Sequence, residues 1–80
     1  MTKLVYIVRT NHSDIIGVFT NKKLAYQNAK FEAISFDAKI KKSYNEVLQE
    51  FKNTHRNNVC ICNDRDIVVE IQQYPLNNKY

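Results

Sequence analysis

Eighty residues leave room for one domain and no second core, and a chain this short buries only about 60% of the surface its unfolded form exposes. A hydrophobic content of 44% with 25% charged residues excludes a disordered chain, and a single Gly and a single Pro exclude a low-complexity one. The net charge of +4, from twelve Lys/Arg against eight Asp/Glu, is compatible with nucleic acid or another acidic partner without requiring one.

The chain opens MTKLVYIVRTNHSD, with an apolar run of five residues and no small-residue cleavage site, which is too short for a signal peptide. No segment approaches transmembrane length, so a soluble cytoplasmic protein with no membrane partner is expected. Lys3 to Arg9 (KLVYIVR) is β-branched and aromatic and predicts a strand buried mostly on both faces. Thr10 to Asp14 is a turn cluster and Ile15 to Phe19 (IIGVF) a returning strand, so residues 1–19 read as a β-hairpin. Gly17 inside that strand marks a bulge or a close backbone approach. Thr20 or Asn21 is the natural N-cap of a helix starting there.

Residues 20–53 form the helical segment. Ala25, Ala29, Ala33, Phe36, Ile40, Tyr44, Val47 and Phe51 recur at steps of 4, 4, 3, 4, 4, 3 and 4, with no Gly or Pro between Asn21 and Asn53. An unbroken helix of that length would measure about 48 Å at roughly 1.5 Å per residue, more than a sheet of short strands can cover. Either the helix bends near Ser35-Phe36-Asp37, or its distal half packs on another subunit. The second alternative makes Phe36, Ile40, Tyr44, Val47 and Phe51 the interface of a symmetric homodimer. Leu24, Phe31 and Ile34 lie off the main stripe and call for something further to bury the first half.

Thr54 to Asn58 reads as the loop that ends the helix, with Asn57 or Asn58 suited to the left-handed conformation. Val59 to Cys62 is a short strand, Asn63 to Asp66 a turn and Ile67 to Tyr74 a long strand that Pro75 stops. Residues 59–76 are thus a C-terminal hairpin and 77–80 a tail. The expected fold is α+β, an antiparallel sheet of three or four strands (ββ-α(α)-ββ) with one long or bent helix on one face. Cys60 and Cys62, two apart on a strand, point to the same face and read as reduced, buried thiols.

The stretch I-I-G-V-F-T-N-K-K-L-A-Y resembles a strand-into-helix junction of small uncharacterised proteins common in phages and large DNA viruses. The closing V-E-I-Q-Q-Y-P-L-N is similar to the last strand of those proteins, which pairs back with the first. The likeness covers about the first thirty residues and the last ten. It implies an accessory protein of a virus with an A/T-rich genome, or of a virus parasitising another virus, placed in the host cytoplasm or a viral factory. It brings no catalytic residues. One departure stands out: the first helical turn, acidic in those proteins, holds Lys22 and Lys23 here, against the helix dipole.

On a straight helix, Lys23, Lys30, Lys41 and Lys52 are spaced 7, 11 and 11 apart and share one stripe. Lys22, Lys39 and Lys42 add charge beside it and Arg56 extends it. Such a line can track phosphates by counterion release, with Tyr26 and Tyr44 available to stack on bases. Lys22, Lys23, Lys30, Lys41, Lys42, Lys52 and Arg56 are therefore the candidate nucleic-acid contacts, largely independent of base sequence. The bland alternative is a solvated helical face, and the rival function is a protein-interaction module in which the lysines are bystanders.

Other chemistry finds little support. His55, Cys60, Cys62 and Asp64 or Asp66 are ligand types at poor spacing for a structural metal. His12, Ser13 and Asp14 are triad types adjacent in sequence, where they seldom converge on one atom. Gly17 alone cannot build a phosphate-cradling loop. No cofactor, metal or small-molecule substrate is expected, and the protein reads as a non-enzyme.

Overall fold

The computed structural model describes residues 3–11, 14–53 and 57–76. Its elements are β1 (Lys3–Thr10), β2 (Asp14–Phe19), α1 (Lys22–Ser35), α2 (Tyr44–Asn53), β3 (Asn58–Asp64) and β4 (Ile67–Leu76). The four strands form one antiparallel sheet in the order β2-β1-β4-β3, and the fold is α+β. The last strand lies beside the first along its whole length, from Lys3 opposite Leu76 to Thr10 opposite Val69. Pro75 lies inside β4, opposite Leu4 and beyond Gln72, the last residue of β4 that β3 reaches. There its missing N–H breaks no ladder on that side.

Both helices cover one face of the sheet. The alternation of side chains along a strand sends Tyr6 and Val8 of β1 with Val69 and Ile71 of β4 toward the helices, and all four are buried. Ala25, Ala29 and Ala33, at helical spacing on α1, are fully buried against them. Alanine at the contact lets the helix backbone approach the sheet closely. The opposite face carries no helix, and Val5 and Ile7 of β1 are half-buried there. β1 is therefore buried on one face rather than on both.

Gly17 sits where the hairpin loses register, between Val8 opposite Gly17 and Arg9 opposite Ile15. The ring of Phe19 fills the space of its missing side chain, since a Cβ there would lie 2.6 Å from Phe19 Cε2. A second bulge falls at Ile61, between Cys60 and Cys62. It turns Cys62 toward the helices, opposite Val69, and leaves Cys60 opposite Glu70 on the other face. The two free thiols therefore do not share a face, because the extra residue shifts the period of two.

The long helical stretch is two helices. After Ser35 the chain makes a Schellman turn: Ala38 N–H donates to Ala33 O at 3.0 Å and Asp37 N–H to Ile34 O at 2.9 Å. Asp37 takes the left-handed conformation there, with φ 56°, a place where Asp is better tolerated than most residues. Among the described residues, Asn11 and Arg65 also take the left-handed conformation, and Asn58 lies instead in β3. Residues 38–43 then run extended along the outer edge of β3, where Ile40 pairs with Cys62 and Lys41 N–H donates to Ile61 O at 2.7 Å.

The second helix starts at a capping box. Glu46 N–H donates to Ser43 Oγ at 3.3 Å, and Ser43 N–H donates to the Glu46 carboxylate at 2.8 Å. Val47 and Phe51 of α2 are only 2% and 8% exposed. Phe51 meets the Tyr6 ring edge-on, with centroids 6.1 Å apart. The apolar residues of the distal half are thus spent on the chain's own sheet, and the alternative of a straight helix packed on another subunit does not hold. His12, Ser13, Thr54, His55, Arg56 and residues 77–80 lie outside the described residues.

Phe51→Ala is expected to cost about 3–5 kcal/mol, the range for truncating a buried aromatic ring. Urea unfolding of the variant at several protein concentrations measures it; a midpoint equal to that of the parent chain would return Phe51 to an intermolecular role. Glu46 is expected to govern part of the acid limb of stability. Its carboxyl is held below the ordinary carboxylate value, first by the Ser43 N–H, then by the Ser43 hydroxyl and the nearby Lys42. The unfolded chain then binds the proton more readily, so this stabilisation is present above the ordinary carboxylate pKa and is lost as pH falls through the folded value. Glu46→Gln should flatten the urea midpoint against pH in that window, and an unchanged acid limb would contradict the assignment.

Candidate interaction surface

The turn at Asp37 scatters the seven candidate phosphate contacts. Lys23 and Lys30 remain one flank of α1, two turns apart and both exposed. Lys41 leaves the helix and sits on the extended linker, its backbone tied to β3. Lys42 is on the same linker and pairs with Glu50 of α2. Lys52, in the last turn of α2, comes instead to Lys22: both line one open cavity of about 400 Å³ with Leu48, Gln49, Phe51 and Gln73. Arg56 is outside the described residues. A continuous Lys23-Lys30-Lys41-Lys52 stripe therefore does not exist, because it required a helix that the chain breaks.

The tyrosines offered as base-stacking platforms are used internally. Tyr26 and Tyr44 pack on each other with centroids 5.6 Å apart, and the Tyr26 hydroxyl donates to Lys42 O at 2.7 Å. Burial, with a smaller push from the Glu46 charge, raises the Tyr26 phenol above its ordinary value, so it stays a hydrogen-bond donor at neutral pH. Tyr6 is raised for the same reason, burial first and the neighbouring Tyr44 second. Burial also raises the Cys62 thiol, which lowers its reactivity. The Tyr26 and Tyr44 contacts fasten α1, the linker and α2 into one layer.

The start of α1 is capped even though its first turn carries two lysines. Asn21 caps the helix with its side-chain oxygen, accepting from Lys23 N–H at 2.8 Å and Leu24 N–H at 3.2 Å. No acid lies in the first turn to offset the two exposed lysines. With Ala25, Ala29 and Ala33 facing the sheet, the opposite side of α1 is set by geometry alone. It carries Leu24, Phe31 and Ile34, exposed by 54%, 71% and 57%, and Phe36 lies exposed just beyond the helix end.

Positions 24, 31 and 34 are seven and three apart, and with Gln27 they trace the a and d positions of two heptads. Lys23 and Lys30 border this strip on one side, each one position before an a residue. The segment that the sequence marks as needing further burial is therefore left uncovered by the described residues. Of the five residues assigned to a dimer interface, Val47 and Phe51 are in the core, Ile40 and Tyr44 are partly buried against it, and Phe36 is exposed.

Among the described residues no group of three or more His, Cys, Asp or Glu side chains is arranged to hold a metal ion. None of the described helices is long and apolar enough to cross a membrane. Comparison with protein-family models, with curated proteins and with solved structures finds no match.

Tyr26→Phe removes one largely shielded hydrogen bond between α1 and the linker. A loss of about 1 kcal/mol is expected, with faster amide hydrogen exchange concentrated in residues 38–43. Exchange that is unchanged there would mean that the hydroxyl does not fasten the linker.

Proposed function

We propose that this protein acts by binding, as an interaction module that docks a helix of another protein along the outward strip of α1. The observation that carries the reading is the exposure of Leu24, Phe31 and Ile34 on one line of a helix whose other side is fully committed to the sheet. Burying a single side chain of this size is worth about 1.5–3 kcal/mol, so three of them make a competent anchor. Exposed apolar patches bordered by charge are typical of interaction sites.

The border also describes the partner. Lys23 and Lys30 stand where the flanking residues of a packed helix pair meet, so the fitting partner is an amphipathic helix with acidic residues beside its apolar stripe. A second copy of α1 would bring lysine against lysine. The resemblance to accessory proteins of large DNA viruses and phages is in keeping with such a role, in which a small protein engages a host or viral factor.

A second reading rests on one specific observation, the convergence of Lys22 and Lys52 on one cavity. Two lysines at adjoining helix ends can seat a phosphate of a nucleic-acid backbone, independent of base sequence.

One pair of experiments separates them. A photoreactive phenylalanine analogue at position 31, in cells that contain the natural partners, is expected to give a discrete protein adduct that survives nuclease. The adduct should vanish when Leu24 and Ile34 are changed to Asp. If position 31 yields no more adduct than position 45, exposed on α2, the docking reading fails. Fluorescence anisotropy with random duplex and single-stranded DNA at two salt concentrations tests the second reading. Its support is low-salt binding that Lys22→Glu with Lys52→Glu abolishes, and its refutation is no binding at low salt.

A further inference from the structure

Lys22 opens α1 and Lys52 lies in the last turn of α2, so two ammonium groups reach one open cavity from different helices. No acidic side chain lines that cavity, and neither lysine is ion-paired among the described residues. Lys42 is the contrasting case in the same layer, since Glu50 takes its charge. Two like charges around one space repel, and an anion seated between them turns that cost into attraction.

The rest of the wall describes what the anion must carry. Half-buried Leu48 and buried Phe51 give the cavity an apolar side, and Gln73 of β4 brings a side-chain amide that both donates and accepts. The volume of about 400 Å³ lies in the range of small-ligand sites and exceeds what a bare phosphate fills. A lone sugar offers little to the apolar wall, and an alkyl chain offers nothing to the amide. A nucleoside serves both, with the apolar faces of its base and an edge of donors and acceptors.

The surrounding charges limit how many phosphates are held. A strand bound along its backbone needs a row of cations, because affinity grows with each phosphate neutralised. Among the described residues no such row leads away from Lys22 and Lys52. Lys23 and Lys30 border the outward strip of α1, Lys41 sits on the linker beside β3, and Lys42 is paired. Two ammonium groups match one terminal phosphate, which carries close to two negative charges at neutral pH, better than an internal diester with one.

From this arrangement we infer that the cavity binds a nucleoside monophosphate, free or as the phosphorylated end of a strand. Its phosphate sits between Lys22 and Lys52, and the nucleoside lies against Leu48, Phe51 and Gln73. The inference rests on the same cavity as the second reading above and narrows its ligand from an internal phosphate to a terminal one.

Titration of the isotope-labelled full chain, followed by its amide resonances, tests this. Adenosine monophosphate is expected to shift Lys22, Lys52 and Gln73, and to bind about tenfold more tightly than adenosine or inorganic phosphate. Lys22→Glu and Lys52→Glu should each weaken it by about tenfold or more. Lys23→Glu, the same change of net charge at a residue that does not line the cavity, should leave it unaltered. Adenosine or phosphate bound as tightly as the nucleotide overturns the inference, as does an equal loss in Lys23→Glu. Absence of any shift at millimolar nucleotide overturns it outright. Short thymidine strands with and without a terminal phosphate separate the sources. Binding of the phosphorylated strand alone supports the strand end, whereas binding of the free nucleotide and neither strand supports the free form and refutes the backbone reading. Equal binding of both strands overturns the inference and leaves the backbone reading standing.

Discussion

An apolar stripe running from Ala25 to Phe51 has to be laid on a sheet whose longest strand has ten residues, and the chain meets this constraint by reversing at Phe36-Asp37. The reversal depends on one backbone conformation, the left-handed Asp37, closed by two Schellman hydrogen bonds. Everything else in the helical layer depends on it. The linker gains an edge of β3 to pair with, α2 returns over the same sheet, and Val47 and Phe51 complete a core that an eighty-residue chain could not otherwise fill. Because the distal half is buried inside the chain, the surface of α1 that remains is the one the sheet does not need.

That remainder is the apolar surface on which the proposed docking rests. A helix resting on three alanines exposes its bulky residues on the other side by default, and Leu24, Phe31 and Ile34 are those residues. On the helix-free face Val18, Ile15 and Tyr74 are exposed among the polar Arg9, Gln72, Asn58 and Asn63. The two surfaces differ in kind. One is a narrow apolar strip bordered by Lys23 and Lys30, while the other mixes apolar side chains with polar ones.

Much of the architecture is legible in the sequence because it rests on local patterns. The hairpin, the cap at Asn21, the α+β class and the pairing of the last strand with the first all come from periodicity, turn residues and the resemblance. The break in the helix is legible as one of two alternatives, since stripe length forbids a straight helix over so small a sheet. A more decisive signal is also present: Ser43-Tyr44-Asn45-Glu46 is a capping box, and it marks the start of a second helix. That start dissolves the lysine stripe, because Lys41 then falls before the helix begins. The bulge at Ile61 is less accessible, since no glycine or polar residue marks it, and without it Cys60 and Cys62 fall on one face.

The lysine stripe fails as a continuous line for a physical reason. Lysines three, four or seven apart are neighbours only while the helix continues, whereas apolar residues at the same spacing retain meaning across a break because both helices bury them in one core. The off-stripe Leu24, Phe31 and Ile34 keep their common line, since all three lie within α1, before the break.

The reversal itself is open to one direct measurement. In an isotope-filtered NOE experiment on a mixture of labelled and unlabelled chains, contacts between Tyr26 and Tyr44, whose ring centroids are 5.6 Å apart, are expected only within a chain. The same contact observed between a labelled and an unlabelled chain would mean that the distal helix crosses to a second subunit, and would contradict the account.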